Sequence, residues 1–166
     1  MSNRTAAADL ITEELKRIRK NVPGVRGSIA ATSDGLLIAH DVRDIEPTQI
    51  AALVAALHAV AVRATLSTQS GDFRDVITRA SEGYLAVFAA GGTAIVAVLG
   101  STGLNVAILN YQARSMIERV AEVSASLARR PPADPAYADP PHPGPSSANA
   151  PAGADEGALP VRRRRR

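Results

Sequence analysis

Residues 22–41 read VPGVRGSIAATSDGLLIAHD. An apolar helical stripe runs into Pro23-Gly24 and stops there. Proline has no amide to donate to a helix, and glycine takes the left-handed conformation that ends one. Residues 25–32 (VRGSIAAT) and 36–41 (LLIAHD) are strand-like, and Ser33-Asp34-Gly35 joins them in a loop whose glycine can take positive φ. A joint that short makes the two strands antiparallel. The stretch carries no plausible nucleophile, no metal cluster and no phosphate loop, which points to a scaffold that works through its surfaces.

Upstream, Leu10, Ile11, Glu14, Leu15, Ile18 and Val22 give a helical stripe broken only by Glu14. Downstream, Asp44-Ile45-Glu46-Pro47 opens a second helix that runs to about Ser70, with Pro47 in the first turn where a missing amide costs nothing. Phe73–Ala80, Tyr84–Ala89 and Thr93–Leu99 read as strands separated by Ser81-Glu82-Gly83 and Ala90-Gly91-Gly92. After Gly100-Ser101-Thr102-Gly103 a long helix ends near Arg130, with Leu109, Ala113, Met116, Val120, Val123 and Leu127 recurring along one side. The order α-β-β-α-β-β-β-α predicts an α+β sandwich, one antiparallel sheet with helices on both faces.

Composition narrows the function. Aromatic residues make up 3% of the 166-residue chain and there is no Trp, so the core is built of small and branched aliphatics. The absence of cysteine excludes disulfides and thiolate chemistry. No apolar run near Met1 suits a signal peptide, so the expected location is cytoplasmic. Nine of the eleven prolines follow Arg130, and large aliphatics nearly vanish there. Such a segment cannot bury enough apolar surface to offset its ordering entropy, so a folded domain over residues 5–129 and a disordered tail over 130–166 are expected.

The second helix has two apolar sides. Ile50, Leu53, Val54, Leu57, Val60, Ala61 and Ala64 are expected against the sheet. Ala52, Ala55, Ala59, Val62 and Leu66 are left for a second protein surface, with His58 and Arg63 at the rim. An Ala-rich solvated face is the bland alternative, because alanine is simply a good helix former. Phe73 and Asp75 open the third strand beside Asp72 and Arg74, where charge either discourages pairing at a sheet edge or fixes a specific pairing with a second copy.

Candidate chemistry is sparse. The Gly100–Gly103 loop lacks the lysine and spacing of a nucleotide loop, so Ser101 or Thr102 is expected to cap the last helix. His40, His58 and His142 do not share metal-ligand spacing, and the adjacent His40 and Asp41 point to opposite faces of a strand. No serine has a partner base fixed in the sequence. Catalytic residues, cofactor ligands and metal ligands are therefore expected to be absent, and the chain is expected not to be an enzyme. Arg162–Arg166 would give weak, salt-sensitive attraction to an anionic surface and no specific nucleic-acid recognition.

Residues 22–41, with residues 82–110 (EGYLAVFAAGGTAIVAVLGSTGLNVAILN), resemble the first hairpin and the closing strands of roadblock-type domains, the family of the dynein light chain roadblock and bacterial gliding regulators. The likeness spans roughly residues 8–128 and leaves out the proline-rich, arginine-ended tail. It implies a five-stranded antiparallel sheet in a roadblock/profilin-like sandwich. It also implies a homodimer in which the second helix meets its copy and the third strand extends the sheet. The interface residues expected on that basis are Ala52, Ala55, Ala59, Val62, Arg63, Leu66, Phe73 and Asp75. The family further implies a Ras-like small GTPase as partner, with stimulation of hydrolysis by repositioning the GTPase's own residues, and a sensor kinase or a cytoskeletal or motor component as further partners. A scaffold joining larger proteins without nucleotide dependence is the alternative.

Overall fold

The computed structural model describes residues 3–128. The expected tail over 130–166 lies outside them. The elements are α1 (Asn3–Asn21), β1 (Val25–Thr32), β2 (Leu37–Asp41), α2 (Pro47–Ser67), β3 (Asp75–Ala80), β4 (Gly83–Ala90), β5 (Ala94–Gly100) and α3 (Val106–Ala128). This is the α+β order read from the sequence. The five strands form one sheet in the order β2-β1-β5-β4-β3, and every neighbouring pair is antiparallel. β2 and β3 are the two edges.

Alternation along the strands sorts side chains onto two faces. On one face Ala30, Phe88, Val96 and Val98 meet Ile11, Leu15, Ile18 and Val22 of α1 and Leu109, Ala113, Met116 and Val120 of α3. The stripes read from α1 and α3 are thus the ones buried, except that Leu10 faces outward and Val123 and Leu127 are half-buried. Each fully buried Leu or Ile contributes about 1.5–3 kcal/mol of burial free energy, so this layer carries most of the core. Ion pairs bind it at its margins. Glu14 of α1 lies 2.7 Å from Arg17 and 3.4 Å from Arg119 of α3, and Arg19 lies 2.7 Å from Asp41 at the end of β2. On the other face Ile29, Ala31, Val87, Ile95 and Ala97 meet a single helix, α2.

The turns behave as their residues dictate. Gly24 has φ +90°, and its carbonyl accepts from the Ser101 amide at 2.8 Å, which ties the α1–β1 corner to the end of β5. At the β1–β2 joint the Leu36 carbonyl accepts from the Thr32 amide at 2.9 Å, and the Thr32 carbonyl from the Gly35 amide at 3.0 Å. Glu46 caps α2 by accepting from the Thr48 amide at 3.2 Å, just before Pro47.

The cap of α3 differs from expectation. Asn105, not Ser101 or Thr102, accepts from the amides of Ala107 and Ile108 at 3.0 and 3.1 Å. The intervening turn spends its groups elsewhere: the Ser101 amide on Gly24 and the Ser101 carbonyl on the Leu104 amide. The Ser101 and Leu104 amides are thereby committed to backbone carbonyls and do not point at a ligand.

Candidate functional site

The structure corrects the phase of α2. The side chains against the sheet are Ala51, Val54 and Ala55, with Ile50 and Leu57 packed beside them. The outward face carries Ala52, Leu53, Ala56, Ala59, Val60, Arg63, Ala64 and Leu66. Leu53, Val60 and Ala64 were expected on the sheet and instead face out. Ala55 was expected on the outward face and is only 6% exposed. The helix is rotated by roughly a quarter-turn from the sequence reading, on a 3.6-residue repeat.

The physical reason lies in the β1–β2 joint. Gly35 has φ +93°, and a Cβ added there would stand 3.2 Å from the Cα of Ala52 and 3.5 Å from the Cβ of Ala55. Over Gly35 the helix sits against backbone, so alanines occupy that contact, while Val54, Ile50 and Leu57 pack on the sheet beside it. In that phase Leu53 and Val60 turn away from the sheet, whereas Val54 is buried against it. Hydropathy could not set the phase, since both sides are apolar. The signal that could have set it is side-chain size, with the small residues facing a glycine turn.

The result is a helix with an apolar outer face. Leu53 is 61% exposed, Val60 67% and Leu66 68%, with Arg63 as the charged residue among them. Covering each such aliphatic would contribute about 1.5–3 kcal/mol, and contiguous patches of this kind mark interaction surfaces. Among the described residues α2 is also the helix long and apolar enough by composition to cross a bilayer. Its inner side is instead packed on the sheet, as in a helix held between a sheet and a second protein surface.

The edge strand β3 is the other component. Asp75, Thr78, Arg79 and Ala80 are exposed, while Val76 and Ile77 are half-buried on opposite faces. Phe73 is half-buried and meets His58 of α2 edge to face, with ring centroids 5.1 Å apart. That contact joins the helix to the segment leading into β3. Burial pushes the His58 imidazole below its ordinary value. Of the interface residues expected from the sequence, Ala52, Ala59, Arg63, Leu66 and Asp75 are thus exposed, Val62 and Phe73 are half-buried, and Ala55 belongs to the core.

Among the described residues no three His, Asp or Glu side chains are grouped so as to hold a metal ion. Asp41 is paired with Arg19, and His40 beside it is exposed.

The family model for the Roadblock/LC7 domain matches residues 11–100, from the middle of α1 to the end of β5. The chain belongs to the Roadblock/LC7 family. None of the curated protein sequences matches it. Among solved structures it is similar to a Roadblock/LC7 domain from Streptomyces avermitilis, at 23% identity over 70% of this chain and 97% of that one, with a TM-score of 0.63. It is also similar to the gliding protein MglB of Thermus thermophilus, at 17% identity over 73% and 93%, with a TM-score of 0.64. MglB of Myxococcus xanthus follows at 14% identity over 70% and 96%, with a TM-score of 0.65. At these identities the likeness is one of fold.

Proposed function

We propose that this protein is a non-enzymatic, homodimeric regulator or adaptor of a cytoplasmic Ras-like small GTPase. The observation that carries the reading is the outward face of α2, which is apolar along its length and lies on the helix that packs beside the segment entering a free sheet edge. A second copy would cover Leu53, Val60 and Leu66 and leave a continuous surface for a partner. Membership of the roadblock family supports the GTPase as that partner, as the resemblance implies. A solved MglB with a tetrameric arrangement shows that a chain of this fold can assemble with itself.

Regulation of a GTPase requires different affinities for its GTP-bound and GDP-bound states, because a surface that binds both equally shifts nothing. Titrating the full chain against a small GTPase encoded beside it, loaded with GDP or with a non-hydrolysable GTP analogue, tests this. The expected result is binding at least about tenfold tighter in one state, equivalent to about 1.4 kcal/mol. Equal affinity in both states would replace regulation with scaffolding, and absence of binding in both would remove the GTPase from the account.

A further inference from the structure

We propose that β3 recognises its own copy through a self-complementary charge pattern that sets a single register, centred on Ile77. This rests on the homodimer reading above and adds to it which residues stand opposite which.

Two identical edge strands that pair antiparallel about a two-fold axis perpendicular to the sheet keep like faces together. Asp75, Ile77 and Arg79 lie on the α1/α3 face, since Asp75 stands opposite Phe88 and Arg79 opposite Tyr84, both of that face. Val76 and Thr78 lie on the α2 face, Thr78 opposite Leu85. A shift by one residue would oppose side chains of different faces. Only registers centred on a residue survive, and within β3 those that oppose three or more residues are centred on Val76, Ile77, Thr78 or Arg79, the last of which sets Arg79 against its own copy.

Charge chooses among them. With Ile77 at the centre, Asp75 stands opposite Arg79 of the partner subunit, and the symmetry repeats the pair on the other side of the axis. Ile77 then meets its own copy between two ion pairs. Centring on Val76 would set Arg79 against Phe73 of the partner subunit and Asp75 against the partner subunit's Ile77. Centring on Thr78 would set Arg79 against the partner subunit's Ile77. That last register opposes Arg74 to the partner subunit's Glu82, but both lie outside the strand, which spans Asp75–Ala80.

Neither charge is committed elsewhere. Among the described residues neither Asp75 nor Arg79 enters an ion pair, and Arg79 is exposed, 5.8 Å from the Tyr84 ring centroid. Opposite charges directly across a strand pair stabilise it, and like charges destabilise it. The pattern Asp-x-Ile-x-Arg is therefore attractive to its own antiparallel copy and would discriminate against sheet edges that lack it.

The absence of cysteine makes the register directly readable. Directly opposite residues have Cβ atoms about 4.5–5.5 Å apart, near enough for a disulfide after small adjustment. In the full chain, Ile77→Cys is expected to form a covalent dimer rapidly under mild oxidation, with Val76→Cys and Thr78→Cys slower by about tenfold or more, as their own copies would lie diagonally. In parallel, the dimer dissociation constant is measured by sedimentation for Asp75→Arg, Arg79→Asp and the double swap. Each single reversal is expected to weaken the dimer by about tenfold, and the swap to return it to within about threefold of wild type. Circular dichroism confirms that these exposed positions leave the fold intact. A dimer in which Val76→Cys or Thr78→Cys cross-links fastest, or in which the swap fails to rescue, overturns the register and leaves the homodimer standing. A wild-type chain that stays monomeric at every concentration overturns both.

Discussion

The two faces of the sheet are built on different plans. On one, α1 and α3 send Leu15, Leu109, Met116 and Val120 inward and close the layer with a Glu14–Arg119 ion pair. On the other, α2 sends Ala51, Val54 and Ala55 inward and turns Leu53, Val60 and Leu66 outward. The first face is complete within one chain. The second leaves Leu53, Val60 and Leu66 on the outside, where only another molecule can cover them. A helix's most apolar residues are thus no guide to its buried side when the layer beneath is thin.

Truncating the finished face should produce the largest effect. Leu109→Ala or Leu15→Ala is expected to cost about 3 kcal/mol of folding stability, read by urea denaturation, because each leaves a cavity among fully buried neighbours. Leu53→Ala should cost under about 0.5 kcal/mol in a dilute, monomeric sample while weakening the dimer. Equal losses of folding stability from Leu53→Ala and Leu109→Ala would erase the distinction between the faces.

Glutamate on either side of α2 should separate the two roles of that helix. Ala55→Glu buries a charge between helix and sheet and should unfold or severely destabilise the monomer, by about 3 kcal/mol or more. Ala59→Glu lies on the outward face and should leave the thermal melt of a dilute, monomeric sample nearly unchanged while abolishing the dimer mass in light scattering. A folded Ala55→Glu monomer would reject this helix phase.

Gly35→Ala should fall between these, costing about 1–3 kcal/mol, because it adds a Cβ at positive φ against the helix backbone. The smallest effect concerns His58. Its imidazole is held below the ordinary value of 6.5 by burial, so folding favours the neutral form. The unfolded chain then binds more protons, and stability rises with pH. The contribution is complete above about pH 6.5 and is lost as the pH falls through the lower folded value. His58→Gln should flatten the slope of melting temperature between about pH 7.5 and 5. An unchanged slope would place the pH dependence elsewhere.

Much of this was legible in the residues. The hairpin at 22–41 announces itself through Pro23-Gly24 and the Ser33-Asp34-Gly35 joint, and the stripe from Leu109 to Val120 identifies the buried side of α3, because polar residues occupy its other side. The phase of α2 was not legible, since periodicity locates a buried face only where the opposite face is polar. The α3 cap was missed for a related reason. Ser101, Thr102 and Asn105 are all competent caps, and which one serves depends on the tie between Ser101 and Gly24, a contact across 77 positions of chain. Of the surface, the residue types were readable and their assignment to inside and outside was not.

Gly35 has a mechanical consequence. With Ala52 and Ala55 seated on it, and with the Ser33 amide donating to the Thr93 carbonyl at 3.0 Å, the outer helix, the β1–β2 tip and the β4–β5 tip form one linked body. A partner that presses on the outer face of α2 therefore pushes against two hairpin tips as well as against the side chains packed beneath the helix. The helix cannot tilt to accommodate a poorly fitting surface without moving both tips, so the face is stiff, and stiffness favours a partner that already has the matching shape.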